Sequence, residues 1–105
     1  MKTQLKKGVL EMCVLALLEQ HDSYAYEIVS TLADSVEMSE GTIYPLMRRL
    51  QNDGLVSTYL VESDAGPPRK YYRLEAKGLE TLQAMKSEWS GFLAEVNKIV
   101  GANKS

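Results

Sequence analysis

One cysteine in 105 residues, Cys13, leaves no internal disulfide and no cysteine-rich metal site, a usage that suits a reducing cytoplasm. No long hydrophobic run is present. The longest, Met12 to Leu18, is far too short to span a bilayer, and no small-residue cleavage site follows it as in a signal peptide. Internal repeats and low-complexity tracts are absent. So is a Gly-rich loop able to cradle phosphate, and so are paired acids or a metal-spaced cluster. His21 is the single histidine and lies beyond the end of the segment holding Cys13, so no base is placed to activate the thiol. These absences argue against an enzyme, a metal or cofactor and a membrane partner, and for a folded cytoplasmic protein.

Positive charge is also scarce overall, with a net charge of −2, which argues at first sight against a nucleic-acid partner. Its distribution changes that reading. Residues 11–40 carry seven acids and no Lys or Arg, whereas Lys2, Lys6 and Lys7 gather at the start. Arg48, Arg49, Arg69, Lys70 and Arg73 gather in the middle third.

Gly, Pro and Asp divide the chain into segments. Residues 9–18 are apolar except at Glu11, so a helix over Leu5–Gln20 must be covered on nearly every side, by its own core and a second chain. Ser23 is a candidate N-cap for a helix from Tyr24 to about Asp34, with Ala25, Ile28, Val29 and Leu32 as its core stripe. Ser39 is a second candidate cap. It precedes "GTIYPLMRRLQNDG", in which Ile43, Leu46, Met47 and Leu50 form the same kind of stripe. At about 100° per residue, Gly41, Tyr44, Pro45, Arg48, Arg49 and Asn52 fall on the other side. Two helices joined by a short turn, the second carrying its bases outward, make a helix-turn-helix pattern.

Leu55–Ser63 and Arg69–Leu74 are β-prone runs around "DAGPP", which predicts a hairpin with Arg69 and Lys70 just past its tip. A long helix follows, from Glu75 to about Val100. Its Leu79, Leu82, Met85, Trp89, Phe92, Val96 and Ile99 recur at close to coiled-coil spacing, so a second copy of the chain is the expected cover. The predicted fold is mainly α with a small β-hairpin wing: a winged helix-turn-helix over residues 1–74 and a dimerisation helix over 75–105. Leu79, Leu82, Trp89, Phe92, Val96 and Ile99 are the expected dimer interface.

"GTIYPLMRRLQNDGLV", "GPPRKYYRL" and "GVLEMCVLALL…YAYEI", in this order, strongly resemble the PadR family of bacterial transcriptional repressors, over about Leu5 to Val100. The short tail is similar to the branch with a single carboxy-terminal helix. Glu75 departs from the threonine that members often carry there, which bears on the cap of the last helix and not on DNA contact.

A helix entering the major groove meets phosphates and base edges with its first turns. Gly41 gives the Pro45 ring room, Pro45 offers a stiff apolar knuckle, and Thr42 and Tyr44 offer hydroxyls. Of Arg48 and Arg49, one reads bases or backbone and the other flanks the groove. Arg69 and Lys70 belong by the minor groove or flanking phosphates, and Lys6 and Lys7 are candidates for further phosphate contacts. The resemblance implies that Tyr24 lies near the DNA backbone and leaves Tyr26 to the core. The expected function is a ligand-responsive repressor, a homodimer with recognition helices about 34 Å apart on an inverted repeat of double-stranded DNA.

The family also implies a small effector. The phenolic-acid branch answers to hydroxycinnamic-type acids; another branch holds flat cationic drugs between paired tryptophans at the dimer interface, and Trp89 matches that one locally. Phe92, Met85 and Met12 are candidates to line that space, with Glu11 to neutralise a cation; otherwise Trp89 and Phe92 fill the seam between protomers. The rival function is a winged helix that binds only protein, which the acidic stretch favours.

Overall fold

The computed structural model describes residues 3–35 and 40–101, and side chains from 8 to 34 and from 41 to 101. The expected cap Ser39 and the side chains of Lys6 and Lys7 lie outside these residues. Along the chain come α1 (Thr3–Gln20), β1 (Ser23–Tyr24), α2 (Ala25–Ser35), α3 (Glu40–Asn52), β2 (Val56–Val61), β3 (Arg69–Leu74) and α4 (Ala76–Val100). This is the winged helix with a long terminal helix that the sequence pattern predicts.

The core forms where the apolar stripes meet. α1 contributes Leu10, Val14, Leu15 and Leu18, α2 contributes Ile28, Val29 and Leu32, and α3 contributes Ile43, Met47 and Leu50, all buried. Each such side chain contributes about 1.5–3 kcal/mol on leaving water. Met12, Cys13, Ala16 and Leu17, on the remaining sides of α1, are only partly covered.

α3 ends as its sequence requires. Gly54 has φ 78°, a left-handed conformation that glycine adopts without a Cβ clash. Its N–H donates to the Gln51 carbonyl (3.1 Å), and the Leu55 N–H donates to that of Leu50 (3.0 Å). These two bonds are the Schellman pair, and the apolar contact that accompanies it is supplied by Leu50 and Leu55, both buried. The chain then enters β2 at once.

The sheet has three antiparallel strands in the order β1-β3-β2, where the sequence pattern predicts only the hairpin. The extra strand corrects the expected cap at Ser23. Ser23 pairs with Tyr72 in the sheet and is buried, and its hydroxyl donates to the His21 carbonyl (3.3 Å) rather than to a helix amide. Glu27 caps α2 instead: its Oε1 accepts from the Tyr24 N–H (3.1 Å), the reciprocal half of a capping box.

Gly78 joins α4 to the sheet. A Cβ there would lie 2.2 Å from the Leu55 carbonyl oxygen, which already accepts the Glu75 N–H (3.0 Å). Only glycine lets the first turn of α4 come this close. Glu75 makes no side-chain cap; its carboxylate accepts the Ser57 hydroxyl.

Candidate nucleic-acid interface

The register of the wing decides which bases share a face. Side chains alternate along a strand, so Arg69, Tyr71 and Arg73 take one side of β3, and Lys70, Tyr72 and Leu74 the other. Lys70 thereby joins α3. Tyr44, Arg48 and Gln51 of α3, Lys70 and Tyr72 of β3 and Ala25 of α2 line a hollow of about 250 Å³ that contains no carboxylate. Gln51 donates to Thr58 of β2 (3.4 Å), which ties α3 to the wing beside it. Within the hollow, burial raises the Tyr72 hydroxyl above its ordinary pKa; Tyr44 adds to this and Arg48 opposes it.

Among the described residues, no carboxylate pairs with Arg48 or Lys70. Arg49 stands on the opposite flank of α3, where it donates to Glu11 Oε1 of α1 at 2.6 Å and lies 3.5 Å from Asp53 Oδ2. The hydrogen bond to Glu11 is the main reason its pKa is raised. The two neighbouring arginines are both exposed and differ in their partners: Arg49 is paired with carboxylates of the protein, and Arg48 is not. Thr42 and Pro45 are exposed on the outer side of α3, and Pro45 and Thr42 also border a hollow between α3 and Leu10 of α1.

Arg69 and Lys70 do not act as the pair that the sequence pattern suggests. Arg69 lies over the Tyr24 ring (4.6 Å), whereas Lys70 approaches Tyr72 on the other side (5.9 Å). Tyr24 belongs to a row of rings along the outer sheet face. It lies 5.4 Å from Tyr71, and Tyr71 lies 5.7 Å from Tyr59, because Tyr71 pairs with both across the strands. Asp22 closes the far end: Tyr59 donates to it (2.6 Å), Arg73 lies 3.5 Å away, and Arg73 covers the Tyr59 ring (4.7 Å). Tyr26, expected in the core, is 65% exposed and stacks on Tyr24 at 6.4 Å. One position past Ala25, it falls outside the stripe that α2 turns inward.

Another concavity, an open groove of about 360 Å³, lies between α1 and α4. Met12, Met85, Trp89 and Phe92 line it, joined by Gly8, Val9 and Glu88, which sequence reasoning missed. Glu88 immediately precedes Trp89, and that adjacency was the available signal. Glu11, expected to serve this space as an acid, is occupied by Arg49 and is not among the lining residues; on a helix it points about 100° away from Met12.

Leu82 also differs from expectation. It is fully buried in the protomer's own core and so is no dimer-seam residue, because α4 lies against α1 at that level. Lys86 reaches Glu19 (3.2 Å) along the same contact. Beyond it the apolar side chains are bare, with Phe92 52% and Ile99 85% exposed. Val96 and Trp89 are partly covered, and Leu79 stands at the edge of exposure. Cys13 is partly buried, and that burial raises its thiol pKa. Among the described residues, no helix is long and apolar enough to cross a membrane, and no group of His, Cys, Asp and Glu is placed to hold a metal.

Comparison with known proteins converges on this geometry. Residues 14–84 match the model of the transcriptional regulator PadR-like family. A PadR-like transcription factor from Bacteroides fragilis is 43% identical, with 91% of this chain and 94% of that one covered and a TM-score of 0.79. A PadR-like transcriptional regulator from Bacillus cereus is 40% identical, with 93% and 97% covered and a TM-score of 0.85. An uncharacterized protein of Lysinibacillus sphaericus is 29% identical over 103 residues, which span 94% of this chain and 91% of the relative. With its winged helix built as theirs is, the chain belongs to the PadR-like family of DNA-binding transcriptional regulators and is not an enzyme.

Proposed function

We propose that this regulator is a repressor that binds an inverted repeat as a homodimer and releases it in response to a small aromatic ligand, acting in the cytoplasm. The observation that carries DNA reading is the acid-free hollow in which Tyr44 and Arg48 of the recognition helix meet Lys70 of the wing. α3 then enters the major groove with Thr42, Tyr44 and Pro45 leading, and Arg48 one turn behind reaches phosphate or guanine. Arg69, on the other face of the wing, and Tyr24 beneath it meet the flanking backbone.

The homodimer is supported by the apolar residues left bare on α4. Phe92, Leu93, Ile99 and Val100 are all exposed on the far half of a helix that draws the protomer out to 54 Å. Pairing these helices covers them and joins the two grooves around Trp89, so that one aromatic ligand is shared between protomers. In this reading residues 1–74 read DNA and residues 75–105 set the spacing of the two heads. A ligand held between the tails changes that spacing, and occupancy of the operator, hence repression, falls.

The test is fluorescence anisotropy with a random-sequence duplex over a range of salt. Binding is expected to weaken steeply as salt rises, because neutralising phosphates releases counterions, with a slope of about −0.9 per phosphate contacted. Absent or salt-insensitive binding overturns the reading and favours a winged helix that recognises protein.

A further inference from the structure

We infer that Arg49 is a positioning residue: its bond to Glu11 locks the pitch of the recognition helix to α1, and it makes no contact with DNA. This rests on the DNA-reading role proposed for α3. Sequence alone places both Arg48 and Arg49 on the outward side, one to read bases or backbone and the other to flank the groove, without saying which is which. Arg49 is engaged from two sides, by Glu11 at 2.6 Å and Asp53 at 3.5 Å. The Glu11 side chain is only 16% exposed while that of Arg49 is 51% exposed, so the pair is anchored from its α1 side, and charge-assisted hydrogen bonds are among the stronger ones.

The geometry explains why a clamp is useful at this point. α3 is 13 residues long, carries Pro45 in its interior and presents exposed residues on its outer side. Its buried stripe of Ile43, Met47 and Leu50 fixes its depth. The apolar burial of that stripe is non-directional, and on the wing side the Gln51–Thr58 bond (3.4 Å) is a polar tie of α3. The link to Glu11 is directional and acts off that stripe. α1 is a suitable anchor, since Leu10, Val14 and Leu15, flanking Glu11, are buried almost completely. Rolling α3 would swing Tyr44 and Arg48 out of register with Lys70 of the wing, and base reading depends on that register.

The two assignments of Arg49 predict opposite signs for one substitution. Glu11→Gln removes a negative charge beside the DNA-binding surface. If Arg49 contacts phosphate, the change frees it and tightens binding. If Arg49 positions α3, the same change weakens recognition. The experiment uses the full chain and a duplex that the wild-type protein selects from a randomised library, with a scrambled duplex alongside.

Glu11→Gln and Arg49→Ala are each expected to weaken binding to the selected duplex by roughly five- to tenfold, the coupling typical of interacting pairs. Binding to the scrambled duplex should change little, and the salt slope on the selected one should not change. The double variant should be no weaker than either single variant. Arg49→Lys retains the charge but not the two-sided grip, so it should also lose selectivity; it serves as the test if Arg49→Ala melts early.

A salt slope reduced by about 0.9 in Arg49→Ala, or tighter binding by Glu11→Gln, overturns the assignment. Additive losses in the double variant overturn it as well. A wild-type protein that selects no duplex overturns the DNA-reading role itself. Loss of slope in Arg48→Ala alongside the outcomes expected above separates the two claims.

Discussion

The two halves of α4 carry one apolar stripe at the same spacing and have opposite fates. Its first half buries Gly78 against the Leu55 carbonyl and Leu82 in the core; its second half leaves Phe92, Leu93, Ile99 and Val100 in water. The difference lies in what each half meets. The first packs on α1 and on the Leu55 carbonyl just before β2, whereas the second borders the open groove beside Gly8, Val9 and Met12 of α1. An apolar periodicity identifies a surface that needs a cover without saying whether that cover is the same chain or another.

That contrast is breakable at both ends. The largest effect is expected in the first half. Leu82→Ala should cost about 2–5 kcal/mol through lost burial and the cavity left behind. Gly78→Ala should cost about 1–3 kcal/mol by forcing helix and strand apart. Urea denaturation should show both losses at every protein concentration, because the damage is internal to one protomer. In the second half, Phe92→Glu should weaken self-association by about 2 kcal/mol or more, as for a central interface aromatic. Sedimentation should then show the population moving from dimer to monomer, with the melting temperature no longer rising with protein concentration. A wild-type protein that remains monomeric at all concentrations would break the comparison.

Between recognition and packing, Arg48→Ala should cost about 1–3 kcal/mol in operator affinity and lower the salt slope by about 0.9, measured by anisotropy. The same change should leave thermal stability nearly unaltered, since no carboxylate among the described residues depends on it.

The smallest effect concerns pH and separates the sheet from the tail. Tyr72, chiefly through burial, and Tyr59, chiefly through its bond to Asp22, have pKa values raised above 10.0 in the folded protein. Folding therefore favours their protonated forms. The associated stability is fully present below pH 10 and is lost as pH rises through the folded values. A decline in melting temperature that begins above pH 10 and is reduced in Tyr59→Phe is the expected signature. Asp22 accepts from the Tyr59 hydroxyl, so this variant also starts from a lower plateau.

Much of this protein could be read from spacing. The stripes at Ala25, Ile28, Val29 and Leu32 and at Ile43, Leu46, Met47 and Leu50 repeat at helical intervals, and all are buried except Ala25 and Leu46, which are partly covered. Asp53-Gly54 marked a helix end that the Schellman bonds realise, and Pro67-Pro68 stayed out of the ladder. Other features had no local signal. β1 is two residues long, too short for any periodicity, and exists because β3 offers it an edge. Ser23 looked like a cap because serine suits that position; pairing with Tyr72 took it into the sheet, and Glu27 capped the helix instead. Tyr26 is exposed for a related reason, since an aromatic beside a core stripe can lie just outside it.

The family motifs and the helical periods determined that this chain folds as a winged helix with a long terminal helix and belongs with DNA-binding regulators. Those properties are local or compositional, because side-chain spacing and turn chemistry act over a few residues. Tertiary structure alone decided that Arg48 faces the wing while Arg49 is claimed by Glu11, 38 positions earlier, and that Arg69 and Lys70 part company across a strand. It also drew Leu82 into the head. A charge or an apolar group has its strength in the sequence, but its partner is chosen by the fold, since electrostatic and dispersion energies depend on distance in space rather than along the chain.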